Sequence, residues 1–299
     1  MNGASWFENV GDKLRSGARL SEFELAELSQ TRDLVRLGAL ADERRRALRG
    51  DRATFVRLVE VPAERVGRAA VPEHAGELRI ARCPDKAEQV VGTVREAVRA
   101  AGHVPVTGFA LDELVDVCGA GATRFGDLVG ALRDEGLACI SEARIERMED
   151  PAWVARASAV GVAVARWTVG DPATMDLDAL RRLADWNRDV AVPVFAPLPR
   201  MASDRPSTGY EDVRQVALAR LLVDNIESIQ VDWRGYGPQL AQVALTFGAD
   251  DVDGVCPTDA SEHGPRRAPL EEITRNIRAA GLVPVERDGR FRTLCTDHQ

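Results

Sequence analysis

The stretch Phe247 to Cys256, FGADDVDGVC, gathers three aspartates, Asp250, Asp251 and Asp253, between glycines and apolar runs. Carboxylates this close can bind a divalent metal, exchange protons with a substrate, or hold a turn. A hard cation needs further oxygen ligands converging from elsewhere, and EF-hand spacing is absent. In an extended strand alternate residues share a face, so Asp251 and Asp253 point one way and Asp250 the other. The plainer reading is a helix-to-strand turn in which Gly248 is left-handed and an aspartate caps the turn. Glu142, in CISEARIERMED, follows an apolar run and is placed either to meet a ligand or to cap the next segment. The four histidines, His74, His103, His263 and His298, never pair as HExxH, and no GxSxG occurs. Zinc-hydrolase and serine-hydrolase chemistry therefore have no motif behind them. His263, in the polar loop TDASEHGPRRAP, is the best placed of the four. The five cysteines, Cys83, Cys118, Cys139, Cys256 and Cys295, are odd in number and far apart. They form neither a disulfide framework nor a CxxC metal site, and burial as small apolar residues is expected.

The elements that must position these groups follow from the hydrophobic pattern. From Phe55 onward, short apolar runs alternate with amphipathic stretches. The strand candidates are FVRLVEV, ELRIA, HVPVTG, LACIS, VAVARWTV, VAVPVFA, SIQVDW and DVDGV. Most of their connections read as helices, the spacing of βαβ units. Neither GxGxxG after an early strand nor a GxxxxGK[ST] loop is present, so a doubly wound nucleotide-binding sheet is disfavoured. The fold class is α/β, a (β/α) TIM-type barrel spanning residues 53–256. Chemistry in such barrels sits where strands end, which singles out Glu142, Trp167, Asp232, Trp233 and the aspartate segment.

Residues 1–52 read as an N-terminal helical extension. In LSEFELAELSQ, Ser21 with Glu24 makes a capping box and Leu20 with Leu25 a hydrophobic staple. Gly50 stops the following helix, and the cationic run ERRRALRGDR reads as that helix's solvated end. Residues 257–299 hold a loop, a helix stopped by Gly281, and a tail expected to pack across one end of the barrel.

At 299 residues, with 45% hydrophobic composition and a net charge of −8, the chain can bury a large core and lacks the cationic surface of a nucleic-acid binder. The start MNGASWFENVGDKL is no signal peptide and no run is long enough to span a bilayer, so a cytoplasmic location without membrane contact is expected.

The C-terminal half carries a further signal. RLLVDNI, WRGYG, LAQVAL, GADDVDG and PVERD, in this order, resemble the radical S-adenosylmethionine enzymes of the futalosine route to menaquinone, above all aminofutalosine synthase. The cyclic dehypoxanthinyl futalosine synthase and F0 synthase subunits are similar at the same motifs. ISEARIE is similar to the family's Gly-Ala-Glu segment, and the N-terminal helices resemble the family's own. The resemblance implies a radical S-adenosylmethionine-type barrel. It also implies a ligand-facing set of Glu142, Arg220, Asn225, Trp233, Gln242, Asp250, Asp251, Asp253, His263 and Arg287, about half of them structural because buried polar groups need partners in any case.

Two departures bear on the cofactors. Family members carry a CxxxCxxC loop after the first barrel strand, whose three thiolates hold a four-iron four-sulfur cluster and leave one iron open. Here VRLVEVPAERVGRAAVPEHAGELRIAR has no cysteine, and the first βα unit is shortened. The paired glycines expected after the next strand are replaced by Ala81 and Arg82 before Cys83 and Pro84. Near Thr258 and Asp259 the family's acidic pair is also lost. Neither cluster nor S-adenosylmethionine is therefore expected as cofactor, nor another metal. The leading expectation is a non-catalytic paralogue that binds a pathway intermediate or a menaquinone-pathway enzyme, as a homo- or hetero-oligomer. The alternatives are non-radical acid/base catalysis by Glu142, Asp251 or Asp253 and His263 in the same barrel, and family activity with the radical supplied by a partner.

Overall fold

The computed structural model describes residues 3–170, 176–198, 209–258 and 270–294. Eight strands, β1 (Arg52–Pro62), β2 (Glu77–Ala81), β3 (Val106–Ala110), β4 (Leu137–Arg144), β5 (Arg166–Thr168), β6 (Val194–Ala196), β7 (Ser228–Asp232) and β8 (Asp251–Val255), pair in parallel in sequence order. β8 returns to β1 and β1 pairs with β2, so the sheet closes into the expected barrel. The barrel is closed even across its shortened first unit, where Leu58 to Pro62 run in register with Glu77 to Ala81. The β1–β2 connection contains only a 3-10 helix, Ala63–Arg68, anchored by buried Val66. It returns through Gly76, whose N–H donates to the Arg57 carbonyl at 2.9 Å. A Cβ at Gly76 would lie 2.8 Å from the Arg287 carbonyl, so only glycine fits this close approach.

The remaining connections are mostly helical: α4 (Ala87–Ala101), α5 (Leu111–Val117), α6 (Ala122–Asp134), α7 (Ala152–Ala159), α8 (Leu177–Val190), α9 (Gly209–Leu222) and α10 (Trp233–Leu245). Their apolar residues recur at helical spacing; α4 buries Val90, Val94, Ala97 and Ala101 against the sheet. α10 breaks at Gly237, where φ is 78°, ahead of Pro238. The strand candidates at Val162–Val169 and Val190–Ala196 shrink to three residues each, β5 and β6. Short apolar runs overstate strand length when only their last residues join the ladder.

Three helices precede the barrel: α1 (Gly3–Arg15), α2 (Glu22–Gln30) and α3 (Leu34–Arg49). The capping box forms, with Glu24 N–H on the Ser21 hydroxyl and Ser21 N–H on the Glu24 carboxylate, while Lys13 reaches the same carboxylate at 2.7 Å. Gly50 stops the third helix with φ of 65°. The cationic run there is not simply a solvated face. Arg45 has no exposed surface and donates to Asp42 and to the Gly50 carbonyl, closing the helix's own C-terminus, and Arg49 reaches inward to Asp250 at 3.1 Å.

After the barrel, helix Leu270–Ala279 leads through Gly281 to a ninth strand, β9 (Val283–Glu286). β9 pairs with the first residues of β1, Arg52 to Phe55, and so occupies the end of β1 that β2 does not reach. The turn beyond it carries Arg287 and Gly289 into the N-terminal end of the barrel, where Gly289 N–H donates to the Gly76 carbonyl. The tail's packing against one barrel end is thus partly strand pairing, a contact the sequence pattern VPVERD did not announce.

Candidate functional site

The barrel interior is filled by charge. Arg79 from the middle of β2 donates to both oxygens of Asp253 on β8, at 2.7 and 3.0 Å, and to Glu77 at 2.8 Å. Arg166 of β5 donates to Asp253 and to the Gln230 amide oxygen, both at 2.7 Å. One layer lower, Arg287 grips Asp251 with two bonds of 2.7 Å, and Gln230 and Thr54 donate to the same carboxylate. Three arginines, Arg79, Arg166 and Arg287, thus face three carboxylates, Glu77, Asp251 and Asp253, all of them buried. The set is neutral, the condition under which buried ions persist.

The electrostatics follow from this pairing. Burial alone would raise the Asp251 carboxyl, but Arg287, Gln230 and Thr54 outweigh it and hold the group below the ordinary carboxylate value. Burial likewise opposes the charge on Arg79, yet Asp253 and Glu77 keep the guanidinium well above its usual value. Cys139, on β4 beside this network, has its thiol pushed up to about 12, chiefly by burial.

The remaining candidates scatter. Asp250 lies behind the barrel wall, as strand alternation requires, and accepts from Arg220 at 2.7 Å, Ile229 N–H at 2.8 Å and Arg49 at 3.1 Å. Arg220 also donates to the carbonyls of Gly248 and Glu227, so the pair ties α9 to the turn before β8. Gly248 has the positive φ, 101°, expected of that turn. Asn225 donates to the Ala184 carbonyl at 2.8 Å and joins α8 to the segment after α9. Gln242 is half-buried on the outer helix α10. Glu142 and Trp233 sit at the C-terminal ends of β4 and β7, Glu142 half-buried and Trp233 fully buried. The Trp233 indole N–H and the Thr168 hydroxyl, at the end of β5, have no hydrogen-bond partner among the described residues. His263, Asp259 and Cys295 lie outside the described residues. The structure therefore brings Asp251, Asp253 and Arg287 together and leaves Arg220, Asn225, Gln242 and Asp250 elsewhere.

Sequence reasoning missed Arg79, Arg166, Glu77 and Gln230, the partners that fill the barrel. A lone arginine inside an apolar strand run, as in ELRIA and VARWTV, was the available signal, because a charge in a doubly covered sheet must be paired. It also missed Asn187 of α8, which accepts from the Trp167 indole at 2.9 Å and from Val192 N–H at 2.8 Å.

The donors present do not fit a cluster held by three thiolates of one loop. The β1–β2 connection carries no cysteine. Cys83, Cys118, Cys139 and Cys256 are free thiols on separate elements. The Cys83 thiol is pushed up to about 12, first by burial and then by Glu113, so it is a poor thiolate donor. Among the described residues no three His, Cys, Asp or Glu side chains converge as metal ligands. At the end of β2, Arg82 stands with φ of 61° at a position where the resemblance implies glycine. Backbone geometry suited to glycine therefore carries a large side chain here.

The fold is that of a family of parallel barrels represented by solved structures at low identity. Methylornithine synthase PylB superposes with a TM-score of 0.68 at 12% identity, covering 92% of this chain and 96% of that one. The FeFe-hydrogenase maturase HydG superposes with a TM-score of 0.67 at 12% identity, covering 94% and 75%. Sequence sharpens this class: residues 197–297 match the family profile described as the CofH/MqnC C-terminal region. Aminodeoxyfutalosine synthase of Thermus thermophilus is 39% identical over 93 residues, 29% of this chain and 25% of that protein. The 5-amino-6-(D-ribitylamino)uracil–L-tyrosine 4-hydroxyphenyl transferase of Methanothermobacter thermautotrophicus is 33% identical over 135 residues, 40% and 36% of the two chains. The chain thus resembles the radical S-adenosylmethionine enzymes of the futalosine route, and its matched part spans about a quarter to a third of these relatives. Among the described residues no helix is long and apolar enough to cross a membrane.

Proposed function

We propose that this barrel works without an iron-sulfur cluster, as a non-catalytic relative of aminofutalosine synthase that binds an intermediate or a partner enzyme of menaquinone synthesis. The observation that carries the reading is the β1–β2 connection: five residues of β1 pair directly with β2 across a link that contains one 3-10 helix and no thiol. In the family this position supplies the cluster, which splits S-adenosylmethionine. Here β1 and β2 pair across a short link without a thiol, and Arg82 stands where the resemblance implies a glycine.

What the chain's own residues do on this reading is bind. Glu142 and Trp233 stand at the C-terminal ends of β4 and β7, with β5 and β6 between them, and the Trp233 indole N–H is a donor with no partner among the described residues. The acid/base alternative finds less support, because Asp251 and Asp253 direct their lone pairs at Arg287, Arg79 and Arg166. Asp251, held below the ordinary carboxylate value chiefly by Arg287 against its burial, is a poor proton shuttle.

Anaerobic reconstitution with iron and sulfide tests the reading. The expected result is no stoichiometric cluster and no cleavage of S-adenosylmethionine by the reduced protein. A stoichiometric brown cluster with iron-sulfur absorbance would sink it.

A further inference from the structure

We infer that a cleft at the N-terminal end of the barrel, on the face opposite the rim residues invoked above, is a binding site for a phosphate monoester of a small apolar group. The inference needs neither a cluster nor a pathway assignment. The cleft, about 640 Å³, opens beside the N-terminal ends of β2, β3 and β4, where Gly76, Pro105 and Gly136 border it. That size lies within the range of about 300–1,000 Å³ typical of small-molecule sites. Val98, Val104 and Leu294 supply apolar walls.

Polar groups reach the cleft from three separate segments. His103 comes from the α4–β3 loop, Glu73 and His74 from the return of the β1–β2 connection, and Arg290 and Arg292 from the turn beyond β9. All five are exposed, and none has an ion pair among the described residues. The other charges of the lining are engaged: Arg57 donates to Glu286, and one Asp288 oxygen accepts the backbone N–H groups of Arg290 at 2.8 Å and Arg292 at 2.9 Å. The cations still open to a ligand are therefore the two guanidinium groups, against the single carboxylate of Glu73.

The turn that carries them is held from beneath. Asp288 N–H donates to the Arg292 carbonyl at 2.9 Å, and Phe291, at φ of 60°, sets its ring 4.0 Å from the Arg287 guanidinium. Arg287 is itself fixed by Asp251 in the barrel interior. Two arginines flanking an anchored residue start from an ordered backbone, which reduces what ligand binding must order.

The combination selects the ligand class. A phosphate monoester carries nearly two charges and three acceptor oxygens, enough for two guanidinium groups and the imidazole N–H donors, where a carboxylate offers one charge and two oxygens. The apolar walls favour an organic body on the ester over the free, fully hydrated anion. Two open arginines are too few for a polynucleotide, whose binding needs many phosphate contacts.

Calorimetric titration of the full chain with phenyl phosphate, and in parallel with phenol and with inorganic phosphate, tests this. The ester is expected to bind about tenfold more tightly than either, the scale of one charge-assisted contact over phenol and of partial ring burial over phosphate. Arg290→Gln with Arg292→Gln should weaken ester binding about tenfold while the melting temperature without ligand stays put, because both backbone bonds to Asp288 remain. His103→Gln, on a separate loop, is the second variant should the turn be disturbed, and a severalfold loss is expected. Equal affinity for ester and phenol, equal affinity for ester and inorganic phosphate, or no binding would overturn the inference. So would full affinity in the arginine variant, which would place the ester elsewhere on the barrel. A cluster appearing on reconstitution would instead overturn the proposed function and leave this titration readable.

Discussion

The two ends of β1 solve the same problem in opposite ways. At its start, Thr54 joins Asp251, Arg287 and Gln230 in a layer where every charge has a partner. At its end, Val59 to Pro62 border a cleft where Arg65 and Arg68 carry charge with no partner among the described residues. The first region is closed by β9 and the turn that delivers Arg287; the second is left open because the first βα connection has no α-helix. The contrast teaches that ion pairing in this barrel tracks solvent access. Where water is excluded, charges must cancel, and where water remains, they need no partner.

This comparison can be broken most directly inside the barrel. Asp253→Ala leaves Arg166 with no carboxylate, only the Gln230 amide, and Arg79 with Glu77 alone in a dry interior, and is expected to cost about 3–5 kcal/mol, read by urea or thermal unfolding. A cost near zero would mean that water reaches this layer. Asp251→Asn is the next largest, about 2–3 kcal/mol near neutral pH from weakened charge-assisted bonds to Arg287. It also carries a pH signature. Because the folded protein holds Asp251 below the ordinary aspartate value, its contribution is fully present above that value and is lost as pH falls through the lower folded value. The wild-type acid limb of stability should therefore be steeper than that of Asp251→Asn, and coincident limbs would contradict the pairing. Thr168→Val removes a buried hydroxyl with no partner among the described residues, and a gain of up to about 1 kcal/mol is expected. A loss of stability would reveal a partner for that hydroxyl at the rim. At the open cleft, Arg65→Glu with Arg68→Glu should change stability by no more than about 0.5 kcal/mol, since both side chains are exposed and have no ion pair among the described residues. A larger loss would mean that the two ends of β1 differ less than their exposure indicates.

Much of the architecture was legible from local patterning. The alternation of apolar runs and amphipathic stretches announced the barrel, Ser21 and Glu24 announced a helix start, and Gly50 and Gly248 fell at turns with positive φ. Strand alternation alone separated Asp250 from Asp251 and Asp253. What periodicity could not supply was the identity of their partners. Arg79 is drawn to Asp253 from across the barrel, and Arg287 to Asp251 from a turn beyond β9, neither at any local spacing. The ten-residue candidate set mixed both kinds of position, because a side chain that holds the fold and one that meets a ligand can have the same residue type.

The sequence by itself determined the class of fold, the absence of thiols from the first connection and the alternation of the aspartates, since each depends on neighbours in the chain. Only the tertiary structure decided that the aspartates are neutralised within the barrel, that β9 completes the start of β1, and that the shortened first unit leaves a cationic cleft. These depend on groups far apart in sequence, brought together by barrel closure in a medium where an unpaired buried charge is too costly to keep.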